Sequence, residues 1–149
     1  MVGRIYEQDE VLKIILEAAK LFCKHNHSTT FYFTDERTAL KMKDNSAQYD
    51  WLTFSTEKHE DLIDYIVTFG GDGTILYGAK FFTGKTPPVV SFMRGTLGFL
   101  CRFHHENMDE VIVPLVQHHQ KQIDMPFKTA SIMRLETTKV TRGRLPVHK

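Results

Sequence analysis

YIVTFGGDGTILYGAKFF, Tyr65 to Phe82, is the stretch on which the reading of this chain turns. Ile66-Val67-Thr68-Phe69 are β-branched or aromatic, the make-up of a short buried strand. Thr74 to Phe82 reads as a helix. Thr83-Gly84-Lys85-Thr86-Pro87-Pro88 ends it, because proline cannot continue a helix and biases its predecessor to extended geometry. At the joint stand Gly70-Gly71-Asp72-Gly73-Thr74, three glycines around one carboxylate. Glycine admits backbone conformations closed to other residues and lets a ligand approach the main chain.

Outward from the joint, strand and helix alternate. Pro88-Val89-Val90-Ser91-Phe92 is a second strand, and Gly95-Thr96-Leu97-Gly98-Phe99-Leu100 is a loop. Asn107 to Gln120 reads as a helix that Pro114 bends rather than forbids, and Ser131 to Thr137 as a final strand. Upstream, Val11, Ile15, Ala18 and Phe22 recur at helical spacing, opposite Glu10, Lys13, Glu17, Lys20 and Lys24. That pattern predicts an amphipathic helix from Asp9 to His25. Thr29 to Phe33 is a strand, and Asp35 to Met42 a short helix with Asp35 as its cap. Lys43 to Asp50 is a loop, and Trp51-Leu52-Thr53-Phe54 is too short to assign. The alternation predicts an open, layered α/β domain with a largely parallel sheet. In such sheets ligands bind at the carboxyl ends of strands, where the glycine joint sits.

Composition narrows the function classes. The 149 residues suit one ordinary domain, and 42% hydrophobic with 25% charged is the balance of a globular protein. A formal charge of +1 gives no dominant attraction to nucleic acid or to an anionic membrane. No apolar run approaches the ~20 residues that span a bilayer. Cys23 and Cys101 make no disulfide framework, and Met1-Val2-Gly3-Arg4 does not open a targeting peptide. The expectation is a cytoplasmic chain.

Two familiar nucleotide motifs do not fit. Gly71-Asp72-Gly73-Thr74-Ile75-Leu76 starts as a dinucleotide fingerprint, but Leu76 stands where that motif needs a small residue. Ala79 to Thr86 has the spacing of a Walker A loop, yet it follows a helix, and Pro87-Pro88 block the helix such a loop must open. The free N–H groups and positive dipole end of the Thr74 helix favour phosphate oxygens. An aspartate there repels an anion. It makes sense if it accepts a proton from, or orients, an attacking hydroxyl, or organises a metal ion. It makes equal sense as the helix cap. Residue type leaves both readings open.

Val67 to Phe82, VTFGGDGTILYGAKFF, and Thr86 to Phe103, TPPVVSFMRGTLGFLCRF, together resemble the ATP-NAD kinase family in its eukaryotic form. Gly70-Gly71-Asp72-Gly73-Thr74 alone is shared with lipid kinases and, more loosely, with phosphofructokinases. Gly95-Thr96-Leu97-Gly98-Phe99-Leu100 discriminates, since lipid kinases carry Asn-Asp where this chain has Gly98-Phe99. The resemblance implies a Rossmann- or phosphofructokinase-like α/β fold. It also implies transfer of the ATP γ-phosphoryl group to the 2′-hydroxyl of the NAD adenosine ribose, forming NADP, with Asp72 as general base. Gly70, Gly71, Gly73 and Thr74 would lie around the phosphates, and Leu97 and Phe99 at the NAD adenine. Arg94 either faces a phosphate or is an exposed loop arginine. ATP with its Mg2+ and NAD would be the ligands, no resident metal is implied, and the family forms homo-oligomers.

The same resemblance divides the chain. Residues 1–137 match the family's N-terminal nucleotide-binding domain, and 138–149 form a basic tail with no counterpart. Family members continue into a β-rich domain with an Asn-Glu pair and a Thr/Ser/Gly-rich segment, neither found after Thr137. They also enter with a complete apolar strand, for which only Val2 and Ile5 stand here. The expectation is half an enzyme, inactive or weakly active by itself. The alternatives are a lipid kinase fragment of the diacylglycerol or sphingosine type, and a non-catalytic nucleotide-binding or regulatory remnant. His104-His105 and His118-His119 would lie about 21 Å apart on one helix, too far to share an ion. Cys101 is expected to be a buried structural thiol.

Overall fold

The computed structural model describes residues 2–3, 9–25, 31–45, 48–95, 98–121 and 130–131. Its centre is the strand β4, Ile66–Phe69, all four residues of which are buried. β1 (Val2–Gly3) pairs with it on one side, Val2 opposite Thr68. β5 (Val89–Met93) pairs on the other, Ile66 opposite Val89, and β6 (Phe103–His104) lies beyond β5. β2 (Phe31–Thr34) and β3 (Asp50–Thr53) form a separate two-stranded sheet. Every described pair is parallel, so the expected largely parallel α/β fold is present, divided between two sheets.

Both faces of β4 are covered, as the near-continuous apolar run of a parallel strand requires. On one face Val67, Phe69 and Phe92 pack with α1 (Asp9–His25) and α5 (Met108–Lys121). The α1 stripe seen in the sequence is the stripe that is buried: Val11, Ile15 and Ala18 lie in the core while Lys13, Glu17 and Lys20 face solvent. Ile112 of α5 is fully buried among them, and the helix runs unbroken through Pro114. The smaller core on the other face joins Ile75 of α4 (Asp72–Ala79) to Met93 and Cys101.

Several expectations change at their edges: among them β2 ends at Thr34, β5 runs over Val89–Met93, and α5 is shifted by one residue. α2 (Glu36–Asn45) outlasts Met42, because Lys43 and Asp44 continue its hydrogen-bond ladder on an exposed face with no apolar signal to mark it. Asp35 does cap it, its Oδ1 accepting the Thr38 N–H at 3.0 Å. Trp51 to Thr53 belong to β3 through pairing with β2, with Trp51 buried against Tyr32. α4 begins at Asp72 rather than Thr74 and ends at Ala79 rather than Phe82. Lys80, Phe81 and Phe82 donate to the carbonyls three residues back, a tighter winding that leads the chain out of the helix. Of the strand expected over Ser131 to Thr137, Ser131 is in no strand and the rest lies outside the described residues, as do Ile5 and the 138–149 tail.

An apolar cleft of ≈ 170 Å³ separates the two sheets, with Tyr32, Phe33, Phe54, Ile66, Val67 and Phe82 among its walls. Among the described residues no helix is long and apolar enough to cross a membrane.

Candidate nucleotide site

The site grows out of the end of β4. Gly70 continues the ladder, its N–H donating to the Phe92 carbonyl at 2.9 Å. The chain then turns into α4, and Gly70 takes φ +154° with the Thr74 side chain so close that a Cβ would collide with its hydroxyl. Gly71 is the N-cap residue, and the Thr74 N–H donates back to its carbonyl at 2.9 Å. Gly70 therefore permits a tight strand-to-helix turn with Asp72 as the first helical residue.

Asp72 does not cap α4, whose N-cap carries no side-chain hydrogen bond. Its carboxylate instead reaches the second motif. Oδ2 accepts the Phe99 N–H at 2.9 Å, and Oδ1 accepts those of Leu100 at 3.0 Å and Cys101 at 3.2 Å. A second tie runs the other way, the Cys101 thiol donating to the Gly70 carbonyl at 3.3 Å. The Leu100 N–H chiefly, with those of Phe99 and Cys101, holds the Asp72 carboxyl below the ordinary carboxylate range against a smaller opposing effect of desolvation. Burial, with the Asp72 charge adding, pushes the Cys101 thiol up against a hydrogen bond with Ser91, which suits an inert structural cysteine.

The structure thus brings Gly70, Gly71, Asp72, Gly73 and Thr74 together with Phe99. The Phe99 ring is 92% exposed although its backbone is held against the carboxylate. Arg94 goes elsewhere. Its guanidinium pairs with Glu10 of α1 at 2.9 Å, beside a polar cleft of ≈ 670 Å³ that Lys13, Glu17, Gly95 and His105 also line. Leu97 lies outside the described residues. Neither of these two clefts is lined by Asp72 or Phe99.

Sequence reasoning did not find the three backbone donors or the Glu10 partner. The only trace of the donors in the sequence is Gly98, whose lack of a side chain leaves room for the carboxylate. Among the described residues no group of three His, Cys, Asp or Glu side chains could hold a metal ion.

A glycine turn at the carboxyl end of a central parallel strand, facing a loop that grips its one carboxylate, lies where open parallel α/β sheets bind ligands. The chain belongs to the ATP-NAD kinase family: the family model described as ATP-NAD kinase N-terminal domain matches residues 8–120. It is 32% identical over 111 residues to the ATP-NADH kinase YEF1 of Saccharomyces cerevisiae, covering 66% of this chain and 22% of that protein. To the NAD(+) kinase of the same yeast it is 36% identical over 104 residues, 70% of this chain and 18% of that protein. The crystal structure of yeast NADH kinase complexed with NADH shares the fold with a TM-score of 0.60 at 23% identity, over 78% of this chain and 37% of that one. The chain spans about a fifth of the length of the two curated relatives.

Proposed function

We propose that this chain is the nucleotide-binding half of a NAD kinase, which moves the γ-phosphoryl group of ATP to the 2′-hydroxyl of the NAD adenosine ribose. The observation that carries the reading is the Asp72 carboxylate bound by Phe99, Leu100 and Cys101, which makes one unit of the two motifs. Phosphoryl transfer asks the protein for positioning and electrostatic stabilisation more than for covalent chemistry. Gly70, Gly71, Gly73 and Thr74 supply a compact backbone for phosphate oxygens, and the exposed Phe99 supplies an apolar face for the adenine, to which the family resemblance also assigns Leu97.

Three N–H donors make the Asp72 carboxylate a weak base at rest. Its role is therefore to orient the ribose hydroxyl and to take the proton late, as the oxygen–phosphorus bond forms and that hydroxyl becomes acidic. ADP leaves with the electron pair of the broken phosphorus–oxygen bond. Mg2+ carried by the ATP phosphates would neutralise their charge during the transfer. Arg94 joins the phosphate site only by leaving Glu10. We extend the reading to a cytoplasmic, self-associating protein; the free thiols of Cys23, exposed, and Cys101, buried, suit a reducing compartment. The test is NADP formation from NAD and ATP by a protein carrying this site together with the family's second domain. Expected is activity that Asp72→Asn lowers at least about a hundredfold with NAD binding kept. Full activity in that variant would remove Asp72 from the chemistry.

A further inference from the structure

Asp72 leaves its own helix to be aimed by a loop 27 to 29 positions downstream. What lets the loop approach is visible in one residue. An ideal Cβ on Gly98 would overlap Oδ1 of Asp72 and lie 2.9 Å from its Cγ and 3.1 Å from its Oδ2. Two of these atoms are hydrogen-bond acceptors for the three residues that follow Gly98. A methyl group there must either turn the Asp72 carboxylate aside or push the loop backbone back, and each movement takes the carboxylate off its three donors. Retreat lengthens all three bonds together, and such bonds weaken steeply with distance and angle. Gly84 differs, since a Cβ there makes only an ordinary 3.6 Å contact with Glu60.

We infer that Gly98 is the positioning residue of this site: by lacking a side chain it lets the Phe99–Cys101 backbone close on the Asp72 carboxylate and fix both of its oxygens. The functional meaning of that device rests on the reading of Asp72 as the group that meets the ribose hydroxyl; its geometry does not. Gly98 touches no substrate and acts wholly through Asp72. The titratable neighbour of the carboxylate is the Cys101 thiol, which burial keeps protonated throughout the acid range, so donor loss should appear in Asp72 alone.

The test uses this chain without nucleotide. The side-chain carboxyl of Asp72 is titrated by carbon-13 NMR, assigned by its disappearance in Asp72→Asn, in the native protein, in Gly98→Ala and in Phe99→Pro. The native midpoint is expected below that of an ordinary aspartate. Gly98→Ala should raise it toward that of an ordinary aspartate, since a carboxylate holding two or three N–H bonds owes its low value to them. Phe99→Pro removes one donor with an exposed ring and should raise it less. In the native chain the Leu100 and Cys101 amides should exchange slowly, and Asp72→Ala should speed them at least tenfold.

A folded Gly98→Ala chain that titrates at the native midpoint would overturn the inference. If that variant does not fold, an unshifted Phe99→Pro midpoint or unchanged exchange in Asp72→Ala overturns it instead. A normal clasp in a protein that never binds NAD would sink the kinase reading and leave this one standing.

Discussion

Oδ2 of Asp72 accepts the backbone N–H of Phe99 at 2.9 Å, which sets a carboxylate beside an aromatic ring 92% exposed to solvent. The acid comes from the turn after the central strand and the aromatic from the loop after the next one. The adjacency needs β4 and β5 to be parallel neighbours, since only then do both turns emerge at the same end of the sheet. The fold produces the site through that one pairing.

Acid should therefore destabilise the chain partly through Asp72. Its carboxyl lies below the ordinary range in the folded state, so unfolded chains bind the proton more readily. This contribution is fully present above the unfolded aspartate value and is lost as pH falls through the lower folded one. Urea melts of native and Asp72→Asn chains at pH 7 and again near pH 3 should show a stability difference that shrinks on acidification. A difference unchanged with pH would mean that the carboxylate's charge does not matter to the fold.

Arg94 and Glu10 form an exposed pair, with side chains 25% and 74% accessible. Glu10→Gln should shift stability by less than about 1 kcal/mol, because solvent screens such contacts. It should also free the guanidinium and tighten ATP binding, read by calorimetry. Unchanged ATP affinity would take Arg94 out of the phosphate site.

Thr68, fully buried in the middle of β4, has a hydroxyl with no hydrogen-bond partner among the described residues. Thr68→Val keeps the branched shape and removes the orphaned group. It should stabilise the chain by about 1 kcal/mol in urea denaturation. A loss of similar size would show that the hydroxyl has a partner in solution.

Much of the fold was legible in the sequence because it is written in burial. The α1 stripe and the β4 run each carry a local pattern, and Asp35 announces its helix by capping it. β3 was not legible, since four residues with Trp51 alone buried show no alternation and owe their strand geometry to β2. The end of α2 escaped because its exposed last turn carries no apolar mark, and that of α4 because the apolar run continues through the buried Phe82 after the winding has tightened. At the site, the glycine turn and the Gly95-to-Leu100 loop could each be read, but the bond between them is a tertiary contact. Asp72 was open to reading as cap or as chemistry, and the structure gives its carboxylate to the other loop instead. Arg94 likewise found its partner 84 positions away, where spacing says nothing.

The central claim is that the two motifs form one NAD site, and NMR of this chain titrated with NAD addresses it most directly. The account predicts amide shifts at Gly70 to Thr74 and at Gly98 to Cys101 that move together with one affinity, along with shifts of the Phe99 ring protons. A folded chain at millimolar NAD whose shifts spare both segments, or touch one without the other, would contradict it.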